Sequence, residues 1–233
     1  MEINIIEVFG LLSAFFSIIL YISPIPKYIK LCKRQIKYMF TPNLKIFGNY
    51  ITCNNWLLYG YLLNNKYFMF CFLTGQFLSL ICVFIFLLSL AKVKILKSLL
   101  LAGILLAYTP ISYLLFVVII NDNDVIGYIC AGFSLIFILD PILLIKRVIK
   151  YRNHRIISIN LCLLKLISTI CWIIYGFMII NFYVIIPNFF GLVLSLVLIF
   201  MWKILKKRKP AIEEVANYSI NNSKKPENAI TLE

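Results

Sequence analysis

Between residues 5 and 203 the chain is a succession of apolar runs of about twenty residues, parted by short loops that hold most of the charge. About twenty apolar residues is what an α-helix needs to cross the hydrocarbon of a bilayer. Inside lipid every backbone N–H and C=O must be bonded within the protein, which leaves helices and closed barrels as the spanning structures. A barrel alternates polar and apolar residues in strands of about ten, whereas these runs are continuous. Composition agrees. The chain of 233 residues is 62% hydrophobic and 14% charged, against roughly 25% charged in soluble domains. A soluble domain of this size has too little interior for that much apolar surface. The pattern excludes a soluble enzyme and a disordered chain.

Seven spans are expected, at about 5–26, 39–63, 67–90, 98–120, 125–145, 156–180 and 184–203. Basic residues fall on alternate sides. Lys27, Lys30, Lys33, Arg34 and Lys37 follow span 1, and Lys92, Lys94 and Lys97 follow span 3. Lys146, Arg147, Lys150, Arg152 and Arg155 follow span 5, and Lys203, Lys206, Lys207, Arg208 and Lys209 close span 7. The opposite side offers Glu2, Glu7, Lys66, Asp122 and Asp124. An even number of spans would break this alternation. The positive-inside rule then puts the N-terminus outside and the C-terminus in the cytosol, with the plasma membrane favoured over an endomembrane. The net charge of +14 is thereby a topology signal, and nucleic acid is not an expected partner. The acidic start lacks the basic region of a cleavable signal. The seven cysteines contain no CxxC pair and read as small buried hydrophobes. The polar tail after Lys209 is expected to be disordered and cytosolic, which leaves its sequons at Asn217 and Asn221 unglycosylated.

The chain repeats itself. Trp56-Leu-Leu-Tyr59-Gly60 returns 116 residues later as Trp172-Ile-Ile-Tyr175-Gly176, and Gly75 returns as Gly191 at the same offset. Ser23-Pro24-Ile25 corresponds to Asp140-Pro141-Ile142 at an offset of 117. Three landmarks in order point to an internal duplication. The expected fold is all-α, seven transmembrane helices as two parallel three-helix repeats joined by a linker helix (3+1+3). The divisions are 1–90 for the first repeat, 91–124 for the linker helix and its loops, 125–205 for the second repeat and 206–233 for the tail. Span 4 makes both repeats begin on one side, so that an axis along the membrane normal relates them.

These residues carry a resemblance. In the second half, Cys130, Asp140-Pro141, Cys171-Trp172-Ile-Ile-Tyr175-Gly176 and Ile186-Pro187-Asn188-Phe-Phe-Gly191 follow the order of the SWEET (MtN3/saliva) sugar transporters, within the PQ-loop superfamily. The first half adds Ser23-Pro24 and Cys53-Asn-Asn-Trp56-Leu-Leu-Tyr59-Gly60. The resemblance covers residues 5 to about 205 and implies facilitative, bidirectional uniport of small sugars by alternating access, without a cofactor. The first half diverges most, though not alone. Pro42 stands about three residues early, Lys45 is near the place expected of the proline in span 2, Ser158 replaces the proline of span 6, and Phe72 occupies the position of the span 3 pocket asparagine.

Trp172 and Asn188 are the pocket residues that the resemblance implies. A sugar offers apolar C–H faces for an indole and hydroxyls for an amide. The alternatives are a tryptophan of the interfacial belt and an asparagine bonding a neighbouring helix. Lys45, Asn49 and Trp56 share one face of span 2, and Lys45 is near enough to the basic loop to snorkel. Lys165 lies two turns from Trp172 on the same face, and a lysine at that depth usually faces a cavity. Asp140 either pairs with it or faces the vestibule. Pro24, Pro141 and Pro42 are candidate hinges, since each removes a backbone donor. His154, beside Arg152 and Arg155, reads as solvated, and no catalytic motif, metal-ligand cluster or proton relay is present in the sequence. The expected partners are a mono- or disaccharide and the bilayer, and a homo-oligomer stays open. Lys165 keeps open a carrier for an amino acid or organic anion, and the helix count keeps open a non-transporting receptor.

Overall fold

The computed structural model describes residues 5–33, 41–92, 94–136 and 139–206, with the side chains of 27, 31–32, 41–46, 139–140 and 155 left out. The tail with its two sequons therefore lies outside the described residues. The elements are α1 (Ile5–Ile22), α2 (Ile25–Cys32), α3 (Thr41–Leu62), α4 (Lys66–Ala91), α5 (Ile95–Tyr113) continuing in wide π-type turns over Leu114–Ile120, α6 (Asn123–Ile136), α7 (Leu139–Tyr151), α8 (Ile159–Met178) and α9 (Phe182–Lys206). A short 3-10 turn, His154–Ile156, precedes α8.

Six of these segments are long and apolar enough to cross a membrane: α1, α4, α5 with its π turns, α6 with α7, α8 and α9. The seventh expected span, α3, has 22 residues but is too polar to qualify. Its polar groups are sheltered by protein, since Asn54 and Asn55 are fully buried. The first span of the first half is broken at its proline: α1 stops before Ser23-Pro24 and α2 carries the chain on. In the second half residues 137–138 lie outside the described ones, and Pro141 stands in the first turn of α7. Pro42 likewise stands in the first turn of α3, where its missing N–H would have had no helical partner.

The packing is mirrored. α3 lies on α4 as α8 lies on α9, and α1 on α4 as α6 on α9. Across the halves α1 packs on α8 and, reciprocally, α6 on α3. The linker α5 departs from this symmetry, because its main neighbour is α4 of the first half. The short connections between second and third spans are twins. Asn64 and Ile180 adopt left-handed backbone at φ 50° and 52°. The next residues, Asn65 and Asn181, donate N–H to Gly60 and Gly176 at 2.9 Å. Asn65 caps α4 by accepting from the N–H groups of Tyr67 and Phe68. Glycine is required before each turn. A Cβ on Gly60 would meet that of Phe68 at 2.6 Å, and one on Gly176 would meet Ile185 at 2.8 Å.

The core is divided unevenly along the membrane normal. From the N-terminal end to the middle, one cluster joins both halves: Trp56, Tyr59 and Phe68 from the first, Cys130, Trp172 and Val184 from the second. Toward the basic loops there are two clusters. Tyr28, Tyr50, Val83 and Phe86 belong to the first half with Leu105 of the linker; Val148, Ile157, Cys162 and Leu198 belong to the second. Among the described residues the halves thus share one core at one end and keep separate cores at the other. Six of the cysteines, Cys53, Cys71, Cys82, Cys130, Cys162 and Cys171, are buried and free.

Candidate functional site

Trp56 and Trp172 end up in matching roles at the centre. The Trp56 indole N–H donates to Ser134 Oγ at 2.9 Å, and that of Trp172 donates to Ser17 Oγ at 2.8 Å. Each serine lies on the first span of the opposite half, so each indole is held by its partner repeat. Ser17 also shares a hydrogen bond with Ser168 at 3.1 Å. The matching hydroxyl in the first half, Thr52 Oγ1, is buried without a hydrogen-bond partner.

Two phenylalanines one turn apart on α4 fill the space between the indoles. Phe68 stacks on Trp172 with centroids 5.3 Å apart and planes 20° apart, and on Trp56 at 6.0 Å and 9°. Phe72 stacks on Trp172 at 5.7 Å and on Trp56 at 5.8 Å. The four rings are nearly parallel and buried, a closed aromatic column joining the two halves.

Reciprocal latches lie above the column, toward the N-terminal end. Asn181 Nδ2 donates to Tyr59 Oη at 2.7 Å, and Asn65 Nδ2 donates to Tyr175 Oη at 2.8 Å. Each tyrosine belongs to one half and each asparagine to the other. Tyr175 Oη in turn lies 3.1 Å from Asn65 Oδ1. At the rim Lys66 bonds Glu7 at 3.2 Å, and Tyr183 donates to Asp124 at 3.0 Å. The rim ion pair is exposed and contributes little to stability; the latches, in a drier place, contribute more.

The residues singled out from sequence are distributed along this axis. Trp172 and Trp56 are in the column. Asn188 is half-buried, and its Nδ2 donates to Val184 O at 2.8 Å, one turn back on its own helix, beside the kink-prone Pro187. Lys165 is exposed, two turns from Trp172, and its Cε would lie 3.7 Å from a Cβ placed on Gly191 of α9. Asn49 is half-buried on α3, Pro24 is half-buried at the break between α1 and α2, and Pro141 is half-buried in the first turn of α7. The side chains of Pro42, Lys45 and Asp140 lie outside the described residues. Sequence reasoning missed Ser17, Ser134, Phe68 and the Tyr–Asn latches. The latch asparagines carried a signal, because Asn65 and Asn181 are again 116 residues apart. Among the described residues no group of three or more His, Cys, Asp or Glu side chains could hold a metal.

Comparison with known proteins follows the same two-part layout. Residues 7–94 and 124–210 match the MtN3/saliva family model, described as a sugar efflux transporter for intercellular exchange. The chain is 26% identical to the bidirectional sugar transporter SWEET14 of Arabidopsis thaliana, over 94% of this chain and 83% of that protein. It is 27% identical to the bidirectional sugar transporter NEC1 of Petunia hybrida, over 89% of this chain and 79% of that protein. Its fold superposes on a eukaryotic SWEET transporter structure with a TM-score of 0.73 at 16% identity, covering 87% of this chain and 97% of that one.

Proposed function

The chain belongs to the MtN3/saliva family of sugar efflux transporters, and on that premise we propose that it carries small sugars down their gradient, in either direction, by alternating access between its halves. The observation that carries this reading is the division of the core. The halves share one cluster toward the N-terminal end and keep separate clusters toward the basic loops. With the basic loops in the cytosol, this is a state closed outside and parted inside. Loss of the two Tyr–Asn latches, with closure of the basic end about Pro24 and Pro141, produces the opposite state. Trp56 and Trp172 then offer ring faces to a sugar, Asn188 an amide and the layer of Ser17, Ser134, Ser168 and Thr52 hydroxyls. Lys165 faces the approach from the basic end and Asn49 lies along it. The Pro24 and Pro141 hinges act as a pair. No proton-relay side chain is needed for downhill exchange.

Purified protein in liposomes, preloaded with unlabelled sugar and offered a trace of labelled glucose or sucrose, should show counterflow that saturates and ignores imposed ion gradients. Trp172→Ala and Asn188→Ala should each remove most of it, while Lys165→Met should change at most affinity. Uptake of amino acids or organic anions in place of sugars, with Lys165→Met the most damaging change, would replace the sugar reading by the anion-carrier one.

A further inference from the structure

Two basic runs far apart in the sequence meet at one corner of the second half. α7 ends in Lys146, Lys150 and, just past its last turn, Arg152; α9 ends in Lys203 and Lys206. The buried cluster of Val148, Ile157, Cys162 and Leu198 brings these ends together, with Trp202 and Leu205 of α9 packed on it. Val148 stands between the cations of α7, and Trp202 and Leu205 lie beside those of α9. All five cations are exposed. Lys150 lies over the Tyr151 ring at 5.6 Å, and Lys206 over Trp202 at 4.7 Å. Arg152 closes α7 in left-handed backbone at φ 46°, its N–H donating to Val148 O at 2.8 Å. Glycine or asparagine is usual in that place, and here it holds a guanidinium.

The described protein does not balance this charge. The carboxylates whose side chains are described, Glu7, Asp122 and Asp124, stand at the opposite, N-terminal end. Among the described residues none of the five cations makes an ion pair. Asp140, whose side chain lies outside the described residues, would offset one of them. The two helix C-termini supply about half a negative charge each, which offsets about one more. The remainder calls for an anion from outside, and the sequence adds Lys207, Arg208 and Lys209 directly after. A topology signal needs basic residues in the loops, but not their convergence on one packed corner. Ile149 and Ile204 are exposed beside the cations, so the corner mixes charge with apolar surface.

We propose that this corner binds an anionic phospholipid of the leaflet at the basic end, one whose headgroup carries phosphate monoesters. The phosphates lie among Lys150, Arg152, Lys203 and Lys206, and the acyl chains run along Ile149 and Ile204. A headgroup of single net charge answers one cation, whereas phosphate monoesters on one ring answer both helix ends at once. A soluble polyphosphate matches the charge but brings no chains to the apolar side chains. The proposal goes beyond the sugar-transport reading and does not depend on it, since it needs only that the basic end meets a membrane surface.

The test is binding of a fluorescent short-chain phosphatidylinositol bisphosphate to the purified full chain in neutral detergent. The wild type should bind it saturably. Lys150→Gln, Lys203→Gln and Lys206→Gln together should raise the dissociation constant about tenfold or more, and arginine at the same three places should keep it within about threefold of wild type. Lys30→Gln, Lys33→Gln and Lys94→Gln remove the same charge from exposed sites at the basic end of the first half, and should also leave it within about threefold. Unlabelled short-chain phosphatidylserine and soluble inositol trisphosphate should each compete at least about tenfold more weakly than the unlabelled bisphosphate lipid. Equal weakening by the two glutamine triples would overturn the site in favour of diffuse attraction. Inositol trisphosphate competing as well as the lipid would overturn the lipid assignment, and the absence of saturable binding would overturn the whole proposal. Sugar counterflow measured on the same preparations bears on the transport reading alone.

Discussion

Helices α3 and α8 occupy matching places in the two halves, but they are dressed differently. On α8, Leu166, Ile170 and Cys171 stand where α3 has Tyr50, Asn54 and Asn55. Ile170 is 40% exposed, whereas Asn54 is 2% exposed. The difference is the linker. Tyr50 Oη bonds Thr109 Oγ1 at 2.7 Å, Asn54 Nδ2 donates to Ser112 Oγ at 2.8 Å, and Tyr108 Oη donates to Asn55 Oδ1 at 2.6 Å. Gln76 of α4 completes the cluster by donating to Asn54 Oδ1 at 3.0 Å. The linker α5 is clasped to the first half by side-chain polar bonds, and α3 is polar because α5, rather than lipid, covers it. Joining two parallel repeats needs one extra crossing, and this chain has made that helix part of the first half's body.

The comparison can be broken at several points. The largest effect is expected at the clasp. Asn54→Leu strands Ser112 and Gln76, each left-over buried partner costing ~1–3 kcal/mol, whereas Ile170→Leu, at the matching place on α8, should be within about 0.5 kcal/mol of neutral. Thermal unfolding in detergent compares them, and equal effects would mean that α5 does not distinguish the halves. The latches come next. Asn65→Ala and Asn181→Ala should each weaken the state closed at the N-terminal end by ~1–2 kcal/mol, a shift of roughly five- to thirtyfold in the equilibrium that populates it. Accessibility of a thiol probe placed near the rim measures that shift, and a large inequality between the two would mean that the latches are not twins. Removing only the indole donor, with ring area largely kept, is milder. Trp56→Phe and Trp172→Phe should each slow exchange by about tenfold or less, measured as counterflow rates.

The smallest effect concerns the twin turns. Asn64 tolerates left-handed backbone, but a β-branched residue does so only under strain, and Ile180 sits there at φ 52°. Its side chain is 79% exposed, so little packing is at stake. Ile180→Asn should raise stability by about 0.5–1 kcal/mol, seen as a higher midpoint of unfolding. A lower midpoint would show that the isoleucine makes a contact worth more than the strain.

Spans, the break at Ser23-Pro24 and the duplication were legible because they depend on length, on proline and on spacing, all of which can be read from the chain alone. The filling of the centre was not. α4 carries Phe68, Phe70, Phe72, Phe77, Phe84 and Phe86, and it turns Phe70, Phe77 and Phe84 outward. A helix apolar all round gives no moment by which to tell its inner from its outer aromatics. Phe72 was visible as a departure from the family's asparagine, but its stacking on both indoles needed both halves in place. Asn188 was read as a pocket amide, and the bond it makes one turn back depends on helix geometry near Pro187. Lys45, Asn49 and Trp56 were legible as one face of span 2, but the role of Asn54 and Asn55 was not: Asn54 and the Asn55 Oδ1 bond the linker. Their role depends on where α5 docks, and that contact is not implied by local pattern.

The central claim is that the halves part and meet at opposite ends about a shared aromatic core. Distances between labels attached through non-natural residues, which spare the buried cysteines, test it directly. One pair belongs at the matched exposed positions Lys66 and Phe182 at the N-terminal end, and the other at Ile29 and Lys146 at the basic end. On adding a transported sugar to protein in liposomes, the account predicts distance distributions that move in opposite senses, the first pair lengthening as the second shortens. Both pairs changing in the same sense, or neither changing while counterflow proceeds, would contradict it.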